Sequence, residues 1–349
     1  MTGPLLRSDN VAGVSPAILA AIEAAATGDD APYGDDALTR ALPVRIGEIF
    51  GATCVAVPVG SGIVGNALAL SLACGPLDSA LCSWESHIAN SEGGAFEFFT
   101  GGAKLVGLPC DDAKLDAGRL EAYLGGIDFA RSATMVPRVV SLTQATERGL
   151  YYRPAEIRAI AAVAHRYKLK VHMDGARFAN ALAAAGCTPA ELSAAVGVDI
   201  LTLGATKNGA MSAEAIVLFD GSLAATFDQR RRRSGQLVSK MRFMSAQLHA
   251  YFADGLWLDN ARRANQTALQ LSVGLAALPG IALAFPVETN LVFATIEPAV
   301  VARLEAADLR FRRRDAKRPA DNLFRLVTSF ETTPDQIDGI LARCRVALA

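Results

Sequence analysis

The sequence has little that would commit it to charged partners, membranes or metals. Net charge is −1 over 349 residues, so the chain as a whole has no electrostatic reason to bind nucleic acid or an anionic membrane. The one strong local exception is the run Arg230, Arg231, Arg232 and Arg233. The longest apolar run, near Ala67–Ala73, falls well short of the ~20 residues that span a bilayer. The N-terminal MTGPLLRSDN has no basic segment leading into an apolar stretch, which argues against a signal peptide. None of the six cysteines (Cys54, Cys74, Cys82, Cys110, Cys187, Cys344) forms a C-x-x-C pair, and only four histidines exist to help a metal site. The expectation is reduced, buried thiols in a cytoplasmic protein. Internal repeats and low-complexity linkers are absent.

What is present is a globular composition, 51% hydrophobic and 20% charged. The length suits two domains, or one large α/β domain with an appendage. Helices are predicted over Ser15–Gly28, 36–50 (with Pro43 a kink), Asn66–Cys74 and Pro154–Tyr167. Between them lie short β-like runs at Cys54–Pro58, Ala80–Ser83, Lys104–Leu108, Val136–Thr143, Leu169–Met173, Asp199–Leu203 and Ala213–Phe219. Alternation of this kind predicts a mostly parallel sheet with helices on both faces. From about residue 221 three helical stretches follow, near 222–233, 239–252 and 259–278. Strands at Leu291–Thr295 and Leu323–Thr328, a helix near 298–307 and a last helix from Pro334 come after them. We divide the chain into a large α/β domain over 1–250 and a small C-terminal α+β domain over 251–349.

The chemistry-bearing pieces are V-H-M-D-G-A-R, residues 171–177, and T-L-G-A-T-K-N-G, residues 202–209. Asp174 ends one apolar strand and Lys207 follows the next, at the edge where α/β sheets place ligands. A lysine in such a loop is ordinarily solvated, and Lys207 alone proves little. The pair is different. Pyridoxal phosphate needs a lysine for a Schiff base and an acid to keep its pyridine nitrogen protonated. Upstream, V-G-S-G-I-V-G-N, residues 59–66, joins a strand to a helix whose first N–H groups suit a phosphate. Its spacing matches neither a Walker A loop nor G-x-G-x-x-G. His87, in S-W-E-S-H-I, is either a surface loop residue or a ring stacked on a cofactor and able to move a proton.

Taken together the chain resembles the low-specificity L-threonine aldolase family, within the aspartate-aminotransferase fold of pyridoxal-phosphate enzymes. The matching pieces are Ser8-Asp9-Asn10, Tyr33-Gly34-Asp35-Asp36, the Gly60–Asn66 turn, Trp84-Glu85-Ser86-His87, Asp174-Gly175-Ala176-Arg177, Thr206-Lys207-Asn208 and Arg325-Leu326-Val327-Thr328. They run in the family's order over nearly the whole chain. T-K-N-G and Thr143–Glu147 look like the bacterial branch that includes phenylserine aldolases.

The resemblance implies a type I fold with a mostly parallel seven-stranded sheet. It implies that Lys207 holds pyridoxal 5'-phosphate, Asp174 pairs with the pyridine nitrogen and His87 stacks on the ring. Backbone groups around Ser61, Gly62 and Ile63 hold the phosphate. Arg177 and Arg325, with Ser8 and Tyr33, bind the substrate carboxylate, and Arg177 and Thr206 also line the cofactor. The family often has a hydroxyl residue where Ile63 stands, for which Ser61 or Thr206 can substitute. Many members have a histidine near the substrate hydroxyl, and its nearest match here is Thr146. The implied reaction is retro-aldol cleavage of a β-hydroxy-α-amino acid to glycine and an aldehyde. The implied assembly is a homodimer or homotetramer with sites between subunits, where Arg230–Arg233 can reach a neighbour's phosphate. The alternatives are a β-eliminating lyase and a catalytically silent cofactor-binding homologue.

Overall fold

A computed structural model describes residues 6–129, 135–314 and 322–349. The large sheet holds seven strands: β1 (Val55–Val59), β2 (Asp78–Ser83), β3 (Lys104–Leu108), β4 (Val136–Thr143), β5 (Lys170–Gly175), β6 (Ile200–Gly204) and β7 (Glu214–Leu218). Their order is β1-β7-β6-β5-β4-β2-β3. The neighbours β2/β3, β2/β4, β4/β5 and β5/β6 are parallel, while β7 is antiparallel to both β6 and β1. The expected mostly parallel sheet is therefore present, with one reversed strand. β6 and β7 are buried along their whole length, as the apolar runs I-L-T-L-G and E-A-I-V-L require when helices cover both faces.

The covering helices follow from their apolar spacing. In Pro154–Arg166 the residues Ile157, Ile160, Ala161 and Ala164 are buried, a stripe one helix face wide. Pro154 sits in the first turn, where its missing N–H has no cost. Helix Ala37–Phe50 is capped by Asp36, which accepts the Thr39 N–H at 2.8 Å, and buries Leu42, Ile46 and Phe50. It runs unbroken across Pro43, where a kink was expected.

Two boundaries differ in ways that matter. The helix expected over Asn66–Cys74 starts a turn earlier, at Gly62, and runs to Ala73, because Ser61 caps it by accepting the Val64 N–H. The stretch near 222–233 is a 3-10 segment, Gly221–Thr226, followed by helix Phe227–Arg233.

A second, antiparallel sheet, ordered β10-β9-β8, consists of β8 (Ile281–Leu283), β9 (Leu291–Ile296) and β10 (Leu323–Val327). β8 was not anticipated; it is three residues long and only Ile281 is buried, so it carries no readable alternation. Helix Leu256–Ala276 joins the two cores. Its Trp257 and Ala261 belong to the large one, while Ala268, Leu271 and Leu275 pack with Val292, Leu326 and Leu341 in the small one. Among the described residues no helix is long and apolar enough to cross a membrane.

Candidate active site

The parallel strands end at one edge of the sheet, and four of them deliver pieces of the site there. β5 carries Asp174 next to its last residue, β6 leads into Lys207, β4 ends at Thr143 and leads to Glu147, and β2 leads to His87. Thr143 lies opposite Asp174 in the β4/β5 register. The lysine turn folds close against the β5 turn because Gly204 has no side chain: a Cβ there would lie 2.8 Å from the Ala176 Cα. Gly209, at φ +116°, then reverses the chain in a conformation only glycine adopts readily.

Lys207 is half-buried and makes no hydrogen bond or ion pair among the described residues. Burial lowers its pKa, and the nearby Arg177 cation adds to the effect. Both favour the neutral amine that carbonyl chemistry needs. Asp174 is 3% exposed, accepting the Ala176 N–H at 3.1 Å and the Asn66 amide at 3.0 Å. The same Asn66 Nδ2 donates to Glu92 Oε1 at 2.9 Å, and Glu92 Oε1 lies 2.8 Å from His87 Nδ1. Glu147 Oε1 accepts the His87 backbone N–H at 2.7 Å and the Thr143 hydroxyl at 2.9 Å. Burial pushes the Glu147 carboxyl up to about 7.

The first turn of helix Gly62–Ala73 stands beside this cluster, since its Asn66 reaches Asp174 directly. The Gly62 and Ile63 N–H groups have no partner within the helix, and nothing lies within 4 Å of a Cβ placed on Gly62. A phosphate fits that open cradle, and the half-buried, unpartnered amine and the buried carboxylate fit the rest of pyridoxal phosphate. Ser61 is the hydroxyl at the helix terminus. The Thr206 hydroxyl is engaged instead with Ala213, accepting its N–H at 3.2 Å.

Other expectations resolve differently. Arg177 is already paired on one edge: its Nε and Nη2 donate to Asp9 at 2.7 and 2.9 Å, and its Nη1 makes no hydrogen bond among the described residues. Burial alone would raise the Asp9 pKa, but Arg177 outweighs it and holds that carboxyl below its ordinary range. Arg325 has no acidic partner among the described residues; its Nη2 lies 3.5 Å from the Arg7 carbonyl. Burial, with Arg177, Arg312 and Arg314 nearby, lowers its pKa to about 10. A half-buried cation among like charges is a place for an anion.

Ser8 caps the 3-10 turn Asp9–Val11 by accepting the Asn10 N–H at 3.2 Å. Tyr33 is 52% exposed and donates its N–H to the Ser239 carbonyl, with no hydrogen bond to Lys207, Asp174 or His87. Thr146 is fully buried, and its hydroxyl has no hydrogen-bond partner among the described residues. Arg231 and Arg232 pair with Asp228 on their own helix, and Arg230 with Thr226.

Sequence reading missed Asn66, Glu92 and Glu147 as parts of the network. Asn66 carried a usable signal, a polar side chain inside an otherwise apolar helix. Below the site, His172 is fully enclosed between the Ser141 and Thr202 hydroxyls, at 2.8 and 3.0 Å, and burial lowers its pKa to about 4. Its folded-state pKa lies below the unfolded value. The stability it contributes is therefore present above pH 6.5 and lost as pH falls through about 4, by roughly 3 kcal/mol at most. Chemical unfolding of wild type and His172→Asn between pH 7 and 4 checks this, and the variant is expected to lose that part of the pH dependence.

Comparison with known proteins agrees with the geometry. The beta-eliminating lyase family matches residues 6–299. A low specificity L-threonine aldolase from a Pseudomonas species is 43% identical over 84% of this chain and 85% of its own. Its Pseudomonas aeruginosa counterpart is 41% identical over 87% of each. A Leishmania major threonine aldolase structure superposes with a TM-score of 0.92 at 27% identity, covering 99% of this chain and 100% of that one. A Sphingomonas wittichii serine palmitoyltransferase shares the fold, at a TM-score of 0.70 and 18% identity over 98% of this chain and 86% of that one. The chain thus has the type I pyridoxal-phosphate transferase fold, and it belongs to the beta-eliminating lyase family, as a pyridoxal-phosphate-dependent lyase related to the low-specificity threonine aldolases.

Proposed function

We propose that this lyase cleaves β-hydroxy-α-amino acids, such as L-threonine, L-allo-threonine or phenylserine, to glycine and an aldehyde. The observation that carries this reading is the meeting of Lys207, Asp174 and His87 at one sheet edge, with Arg325 lacking an acidic partner among the described residues. Bound at Lys207, pyridoxal phosphate supplies the electron sink for the breaking carbon–carbon bond.

The chain's own residues do the rest. Arg325 grips the substrate carboxylate with its planar fork. That grip sets which bond at the α-carbon stands where its electrons can be accepted, so orientation selects the reaction. Asp174, fixed by Asn66 and the Ala176 N–H, is the acid that would pair with the pyridine nitrogen. His87 takes the hydroxyl proton at Nε2, because Nδ1 is engaged by Glu92. The first-turn N–H groups of Gly62 and Ile63, with Ser61, receive the phosphate.

A division into two domains is part of this proposal; the separate cores support it, with the change from one to the other falling inside helix Leu256–Ala276, between Ala261 and Ala268, later than residue 250. A homodimer or homotetramer is part of it too; Ile63 and Met211, 41% and 51% exposed, leave apolar surface that a second chain would cover. Six free cysteines suit a reducing, cytoplasmic setting. The test is glycine and ammonia release from threonine, allo-threonine and phenylserine. Glycine with a stoichiometric aldehyde is expected from at least one of them; ammonia without glycine would establish β-elimination instead.

A further inference from the structure

His87 is 44% exposed, so its ring has no tight packing to hold it. Its orientation comes from hydrogen bonds. Glu92, five residues on, has a side chain only 2% exposed and places Oε1 2.8 Å from His87 Nδ1. We propose that Glu92 is the positioning residue for His87: it holds the proton on Nδ1, leaves Nε2 as the proton acceptor, and is itself locked to Asp174 through Asn66.

The hydrogen-bond inventory fixes the direction of this chain. The Asn66 Nδ2 lies 2.9 Å from Glu92 Oε1 and 3.0 Å from Asp174 Oδ2. An amide nitrogen has two hydrogens and no lone pair to offer, so both carboxylate oxygens must accept. The reverse orientation of Asn66 would set its carbonyl oxygen against two acid groups. As a carboxylate, Glu92 only accepts, so Oε1 takes the Asn66 hydrogen and the His87 nitrogen facing it donates. The neutral ring then carries its lone pair on Nε2, the only nitrogen left for a substrate proton. Burial raises the Glu92 pKa, opposed by the hydrogen bonds from His87 and Asn66. Glu147 completes the placement by accepting the His87 backbone N–H at 2.7 Å. The ring and its backbone are thus held by two acids on different strand-end loops, and the base is tied by side chains to the cofactor's expected acid partner.

The role of Glu92 rests on the proposed reaction, and its test is separable from that reaction. Nitrogen-15 NMR of the histidine-labelled, cofactor-loaded wild-type enzyme reads the His87 tautomer directly. A protonated Nδ1 with a bare Nε2 is expected; the opposite tautomer would overturn the proposal. Glu92→Leu removes the acceptor at Nδ1 and keeps comparable bulk. That variant is expected to keep the cofactor's absorbance, lose the fixed Nδ1–H tautomer, and lose about a hundredfold in kcat, within the range a positioned proton acceptor supplies. KM is expected to change less than twofold. Glu92→Gln, whose amide oxygen can still accept from both Asn66 and His87, is expected to keep the wild-type tautomer and most of the activity. Because Glu92 acts through His87, the double variant Glu92→Leu/His87→Gln is expected to be no slower than His87→Gln alone. Multiplied losses, or full activity in Glu92→Leu, would overturn the assignment. If the variant fails to fold, the wild-type tautomer still decides. Wild-type enzyme that released no glycine would overturn the reaction assigned above while leaving the tautomer result to judge Glu92.

Discussion

Replacing Lys207 with alanine is expected to abolish the visible absorbance of bound pyridoxal phosphate and to lower glycine release by at least about a thousandfold. The reason lies in how the amine is kept. It sits past the end of β6, half-buried and without a hydrogen bond or ion pair among the described residues. Burial and the Arg177 charge lower its pKa, so the neutral, nucleophilic form costs less here than in water. The acids around it do not reverse this. Glu214, whose carboxyl burial pushes up to about 7, donates no fixed full charge at neutral pH and is occupied by the Ala205 N–H at 2.8 Å. Lys207→Arg separates charge from chemistry: it keeps a cation in the turn but cannot form the bond, so it should lose the absorbance as completely as alanine. An unchanged spectrum in either variant would move the cofactor's anchor elsewhere.

Asp9→Ala is expected to cost about 3–5 kcal/mol of stability, the range for removing one partner of a buried ion pair. Asp9 is 2% exposed and takes both the Nε and Nη2 hydrogens of Arg177, while its Oδ2 also accepts the Asn290 amide at 3.0 Å. Removing the carboxylate strands a buried guanidinium and an amide at once. The loss should be read by urea unfolding followed through tryptophan fluorescence. Replacing both partners by apolar residues, Asp9→Leu with Arg177→Met, should recover much of it, because no charge is then left without a partner. A cost below about 1 kcal/mol for Asp9→Ala would mean that Arg177 finds another anion, and would revive the expectation that it binds substrate. Asp9 also ties the N-terminal segment to Asn290, just before β9 of the small sheet, so the variant should loosen the site from two sides.

Much of the fold was legible because its signals are local. Strands β3 and β4 begin and end where their apolar runs do, and Pro154 and Asp36 mark helix starts by the donors they lack or satisfy. Boundaries moved where a cap decides. Ser61 draws the helix back to Gly62, and the apolar run starting later in the sequence does not show that. β8 was illegible because three residues, one of them buried, carry no period. At the site, the strand-end positions of Asp174 and Lys207 were legible from the sequence. The Arg177–Asp9 ion pair was not, because the two residues lie 168 positions apart in the chain.

The sequence by itself determined the strand-and-helix alternation, the lysine–aspartate pair and the kind of cofactor they suit, because each depends on residue type and short spacing. Only the tertiary structure decided which groups remain free to act. Hydrogen bonds and ion pairs between distant segments occupy Arg177 with Asp9 and turn His87 by way of Glu92 and Asn66, while Arg325 has no acidic partner among the described residues. Those partners meet only when the strand ends converge at one edge of the sheet, and a side chain's chemistry is set by the partners it has there.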